Sequence, residues 1–258
     1  MRLRRQYLTR NDCFLAGRII TPRGVMIHST GADNPRVSRY VPGNEELGRN
    51  SGGNHWDRPG LDKCVHAFVG KFSDGTAGIV QTLPWDCRGW HCGRGPLGSG
   101  NDTHIGFELC EDDLADKDYF RAVYAQAAEL TAALCRRFRL DPLADGVVLA
   151  HAEGARRGIA SDHGDPIHWF SRFGVTMDDF RADTAARMEE TPMTQEQFDA
   201  MLADWLRRQG EQSADGWAAP LLERAKAAGI TDGTRPRSFA TRQEAAAMVL
   251  AAQKLKDK

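Results

Sequence analysis

Between residues 119 and 140 the chain reads YFRAVYAQAAELTAALCRRFRL. Its apolar members Phe120, Val123, Tyr124, Ala127, Leu130, Leu134 and Phe138 return every three or four positions. That period places them on one face of a long helix, which must find an apolar surface to cover. Short runs rich in β-branched and aromatic residues can supply it: GVMIHST (24–30), HAFVGK (66–71), AGIVQTL (77–83), HIGFELC (104–110) and VVLAH (147–151). Gly, Pro, Asn or Asp bound several of them, as expected of strands. Strands covered by a long helix, with polar loops between, predict an α/β fold built on a central sheet.

A shift in texture divides the chain. Up to about residue 175 it is rich in Gly, aromatic residues and short apolar runs; beyond, Ala, Glu, Gln and Arg prevail. VTMDDFRADTAARM (175–188) offers Thr176 as an N-cap with Asp179 three residues on, so a helix should close the first domain. EETPM then leads into TQEQFDAMLADWLRRQ (194–209), where Thr194 and Gln197 form a capping box and Phe198, Met201, Leu202, Trp205 and Leu206 an apolar stripe. A helix ending at Gly229, a turn in TDGTRP and a helix capped by Thr241 with Glu244 follow. Domains are therefore expected at 1–190 and 191–258, the second a helical module of marginal stability alone.

The net charge is −1, so no bulk electrostatics favour nucleic acid. The opening MRLRRQYLTRND is basic, but the apolar run after it is broken by Gly17 and Arg18. That is too short and interrupted for a signal peptide or a spanning helix, so synthesis in a cytoplasm without membrane insertion is expected. The six cysteines read as small core residues, with at most a pair near the surface, because the signal that accompanies a disulfide framework is missing.

HAEGARRGIASDHGDP (151–166) gathers His151, His163 and Asp165. A hydrolytic zinc site needs three protein ligands on stiff elements and an open fourth position. His28 sits toward the end of the run GVMIHST, His151 at the end of VVLAH, and Asp165 precedes the stiffening Pro166. Two imidazoles and a carboxylate suit Zn2+. A zinc deaminase would need a Pro-Cys-x-x-Cys downstream, and no cysteine follows Cys135. The His-Glu-x-x-His helix of a metalloprotease is absent too. A second site from Cys87, His91 and Cys92 is conceivable, although neighbouring His-Cys ligands strain a tetrahedron.

Five blocks, MIHSTG, HAFVG, QTLPWDCRGWHCG, NDTHIGFELCED and LAHAEGARRGIASDHGDPIHWF, in that order resemble the zinc-dependent N-acetylmuramoyl-L-alanine amidases. These are the type-2 amidases that share a fold with peptidoglycan recognition proteins, and the likeness, over about residues 20 to 180, leans toward phage endolysins. It implies a mixed central β-sheet flanked by helices, with His28, His151 and Asp165 as Zn2+ ligands and Glu108 as the catalytic glutamate. His163 stands where the family often has a lysine that steadies the oxyanion, so here the donor would be an imidazole. Trp90 and His91 match a block near the glycan groove and are implied substrate contacts. Asp162, Arg156 and Arg157 are read as the loop's own ion pairs or as contacts to the peptide stem. The substrate implied is bacterial peptidoglycan, cut between N-acetylmuramic acid and L-alanine, after release of a cytoplasmically made enzyme during cytolysis. A binding module of the same fold without catalysis is the alternative, and loss of a zinc ligand would mark it. The tail resembles a single S-layer-homology repeat, implying wall attachment or a homo-oligomer formed through its helices.

Overall fold

A computed structural model describes residues 1–189 and 195–254. The chain divides into two compact units, Met1–Glu190 and Thr191–Lys258. The capping pair expected at Thr194 and Gln197 lies outside what is described.

In the first unit six strands form one sheet in the order β1 (Leu3–Arg5), β4 (Ala77–Gln81), β3 (Ala67–Lys71), β5 (His104–Leu109), β2 (Gly24–Ser29) and β6 (Val148–Ala150). Only β3 and β4 pair antiparallel, as a hairpin; the other pairings are parallel. The expected mixed sheet is present. All five runs read as strands lie in it, and β1 adds an edge strand whose Leu-Arg-Arg sequence carries no apolar alternation.

Strand periodicity assigns the two faces. Val25, Ile27, Val69, Ile79, Ile105, Phe107 and Val148 point to one side and form a single core with the apolar stripe of α2 (Lys117–Phe138). Trp169 and Phe170 of α4 (Ile167–Arg172) and Phe180 of α5 (Met177–Glu189) complete that layer. Each large side chain fully buried there contributes about 1.5–3 kcal/mol. Asp116 starts α2 by accepting from the backbone N–H groups of Asp118 and Tyr119 at 3.0 and 2.9 Å. The cap expected on α5 is also formed: Thr176 Oγ1 accepts from Asp179 N, and the Asp179 carboxylate from Thr176 N.

The alternate residues, Met26 and His28 on β2, Phe68 on β3, Gly106 and Glu108 on β5, therefore face the other side. There loops and the short helices α1 (Asp12–Ala16) and α3 (His151–Arg156) lie over the sheet, in two smaller apolar clusters. One face is thus structural, while the other is free to carry chemistry. All six cysteines are unpaired and buried, as expected of core residues.

The second unit contains α6 (Gln195–Gly210), α7 (Ala219–Ala227) and α8 (Arg242–Lys254). Gly229 takes a positive φ of 73° just past α7, and Thr241 caps α8 with Glu244. The α6 stripe stays largely open: Phe198 is 51% exposed and Trp205, which meets the Phe239 ring, 43%. Packing against the tail's own helices therefore does not bury it. Among the described residues, no helix is long and apolar enough to cross a membrane.

Candidate metal centre

His28 is the penultimate residue of β2, which runs between β5 and β6, and its side chain is buried. His151 was expected to end a strand. Instead β6 stops at Ala150 and His151 opens α3. The cause is Glu153 at the third helical position, whose carboxylate accepts from Ala150 N at 2.9 Å and favours a helix start. Arg181 of α5 pairs with Glu153 and donates from Nε to the Val148 carbonyl at 2.9 Å, tying strand end and helix start together. Asp165 comes from the following loop; its carbonyl accepts from Ala152 N and its Oδ2 from Ser29 N, both at 3.3 Å.

These three residues converge. His28 Nδ1 lies 3.0 Å from His151 Nδ1 and 3.2 Å from Asp165 Oδ2, and His151 Nδ1 is 3.4 Å from Asp165 Oδ1. Burial pushes the His28 pKa down, against the opposing pull of Asp165. Burial works to raise the Asp165 carboxyl, but the His151 and His28 rings outweigh it and hold it below the ordinary carboxylate range. A neutral imidazole beside an ionised carboxylate is the protonation state that metal binding requires. Two Nδ1 atoms 3.0 Å apart repel unless a proton or a cation lies between them. One donor atom from each residue fits within a 4.8 Å cluster, so the set can hold a cation in an open, zinc-like site.

Glu108 pairs in register with His28 and shares its face of the sheet. Its Oε2 is buried without a hydrogen-bond partner. Burial, reinforced by the charges of Asp165 and Glu111, pushes its pKa well above the ordinary value. An unpartnered, desolvated carboxyl beside a donor cluster is suited to general acid–base work.

His163 is exposed at the rim, its ring centroid 4.7 Å from that of His151. Ser161 Oγ stands between them, 3.1 Å from His163 Nδ1 and 3.3 Å from His151 Nε2. Trp90 is partly exposed with the Arg88 guanidinium 5.2 Å above its ring. His91, expected at the substrate groove, has both ring nitrogens engaged inside the protein: Nδ1 lies 2.9 Å from His28 Nε2, and Nε2 3.1 Å from the His104 carbonyl. The Cys87–His91–Cys92 site is not assembled, since both thiols face backbone carbonyls. Arg157 pairs with Asp145, outside its own loop.

Sequence reasoning missed Ser161, Glu153 and Arg181. Only Glu153 left a signal, an acid three residues beyond a strand end. Ser161 and Arg181 gain their places from chain segments that meet only in the fold.

A family model described as N-acetylmuramoyl-L-alanine amidase matches residues 19–168, more than half of the chain. The curated N-acetylmuramoyl-L-alanine amidase CwlH of Bacillus subtilis is 50% identical over 44 residues, 17% of this chain and 17% of its own length. XlyA, the N-acetylmuramoyl-L-alanine amidase from the same organism, is 40% identical over 72 residues, 24% of this chain and 23% of its own. The matched stretches thus span less than a quarter of either relative. Among solved structures, the Staphylococcus aureus hydrolase AmiA in complex with its ligand superposes with a TM-score of 0.55 at 18% identity, over 73% of this chain and 83% of that one. PlyL superposes with a TM-score of 0.51 at 18% identity, over 71% and 97%. At such identities the likeness is one of fold.

Proposed function

The chain belongs to the N-acetylmuramoyl-L-alanine amidase family, and we propose that it hydrolyses the amide bond between N-acetylmuramic acid and the L-alanine of the peptide stem in bacterial peptidoglycan. The observation that carries this reading is the half-buried Glu108, whose enclosed Oε2 has no partner, on the same sheet face as the His28–His151–Asp165 donor set.

In the proposed mechanism His28, His151 and Asp165 hold Zn2+. Bound there, the ion would supply Lewis-acid polarisation of a carbonyl and bring the pKa of a water toward neutrality. Glu108 accepts the proton of the attacking water and hands it to the nitrogen of the departing L-alanine, so one carboxyl serves both half-steps. His163 donates an N–H from the rim to the oxyanion that develops on the scissile carbonyl. Ser161, between His163 and His151, sets the ring that does so. Trp90 offers an exposed aromatic surface to the glycan.

Loss of a zinc ligand would favour a binding module without catalysis, and the sequence retains His28, His151 and Asp165. The reading includes the role of an endolysin, reaching the wall after cytolysis. The tail, with its S-layer-homology-like helix–turn–helix, serves self-association through the open α6 stripe or attachment to the wall.

Mass spectrometry of digested peptidoglycan tests the activity. New L-alanine amino termini without new reducing sugars support an amidase; new reducing ends would overturn it.

A further inference from the structure

His91 lies beneath the metal donors and takes no part in the mechanism just described. Its slot is shaped for it: a Cβ added at Gly106 would come within 2.3 Å of the His91 ring, so the glycine leaves the room the imidazole fills. The His91 N–H donates to Asn101 Oδ1 at 2.6 Å, and the Asn101 amide donates to the Gly93 carbonyl at 2.8 Å. Backbone and ring are both pinned.

The protons along this line can be assigned from one end. The His104 carbonyl can only accept, so His91 Nε2, 3.1 Å away, carries a hydrogen. The ring contacts a carbonyl and an imidazole and no carboxylate, so a second proton would leave an uncompensated buried charge. A neutral His91 then has a bare Nδ1, which accepts from His28 Nε2 at 2.9 Å. His28 therefore keeps its only proton on Nε2, and its Nδ1 lone pair is free toward Asp165 and His151.

We infer that His91 is a positioning residue of the metal centre, an imidazole that locks His28 into the tautomer and orientation in which Nδ1 can bind the cation. This rests on the zinc reading above. Ligating histidines ordinarily hand their second N–H to a carboxylate, a backbone carbonyl or water. Here a second imidazole relays that role from the His104 carbonyl, and the site gains no additional negative charge.

The test uses the full chain and Zn2+. His91→Phe fills the slot without an acceptor, whereas His91→Gln restores an oxygen acceptor and an N–H donor. Two readouts are taken: zinc affinity by competition with a chromophoric chelator, and the His28 tautomer by imidazole 15N NMR of the metal-free protein. His91→Phe is expected to weaken zinc binding by about 10–100-fold and to abolish the single Nε2–H form of His28. His91→Gln should recover most of both. Wild-type affinity in His91→Phe overturns the inference while leaving the zinc site standing; a wild-type chain that binds no zinc overturns both. Should His91→Phe fail to fold, metal-free wild type decides alone: a proton found on His28 Nδ1 overturns the inference, and one on Nε2 supports it.

Discussion

His28 and Glu108 stand opposite each other on adjacent parallel strands, β2 and β5, and emerge from the same face of the sheet. One strand supplies the buried imidazole of the proposed metal site, the next a half-buried carboxyl whose enclosed Oε2 is unpartnered. The spacing between them is set by the sheet ladder and by no loop.

Glu108→Gln keeps the shape and removes the charge. Activity is expected to fall by about 10²–10⁴ as a general base is lost, with zinc content unchanged. Metal-free stability at neutral pH should rise. The folded-state pKa of Glu108 is raised, so its carboxylate destabilises the fold above the unfolded pKa near 4.5, and increasingly as pH climbs toward the folded value. The amide is still polar and unpartnered there, so the gain is the relief of the charge alone and grows with pH. Thermal denaturation in excess chelator reads this directly, and a lower midpoint for the variant would contradict it.

Metal should stabilise the fold as well as serve the reaction. At free zinc about a thousandfold above Kd, mass action adds about 4 kcal/mol, which for a unit of this size moves Tm on the order of 10 °C. The increment is expected in wild type and absent in His151→Ala. Equal increments in both would place the cation elsewhere.

His66, one of several histidines whose pKa burial lowers, supplies a measurable share of the pH dependence. It is wholly buried; Gly106 N–H donates to its Nδ1 at 3.0 Å, and its Nε2–H donates to the Cys87 carbonyl at 2.7 Å. Burial lowers its pKa to about 4. The unfolded chain thus takes up a proton near pH 6.5 that the folded chain refuses until about 4. Stability is complete above 6.5 and is lost as pH falls across that window, on the order of 3 kcal/mol from this residue. His66→Gln should flatten the slope by about one proton. Urea denaturation between pH 4 and 7 measures it, and an unchanged slope would exclude His66 as the source.

How much of this was legible in the sequence depended on whether the signal was local. The α2 stripe and the five main strands carry their own periodicity, and His28 and Asp165 sit beside an apolar run or a proline, whereas Glu108 was read only through the resemblance of its block. β1 was not legible, because an exposed edge strand can be Leu-Arg-Arg with only Leu3 packed on the core. The start of α3 at His151 was misread because Ala150 continues the apolar run that the Glu153 cap cuts short. His91 sits in a block that resembles a groove-lining one, but the direction of its ring is decided by Gly106, fifteen residues away and on another element.

The tail gives the last prediction. Phe198, Met201, Leu202, Trp205 and Leu206 recur at helical spacing on α6, each between 37% and 60% exposed. A contiguous apolar stripe of this kind is rarely left to water in a monomer. If α6 associates with α6 of a second copy, sedimentation velocity of the full chain will show concentration-dependent dimers or larger species. A chain ending at Glu190 will sediment as a monomer. Leu202→Glu with Leu206→Glu should reproduce the monomer in the full-length protein, because a carboxylate buried in an apolar seam costs several kcal/mol. Activity on soluble muropeptides should survive the truncation, since His28, Glu108, His151 and Asp165 all lie in the first unit. A full chain that stays monomeric at every concentration, yet pellets with purified cell walls where the shortened chain does not, would assign the stripe to the wall instead.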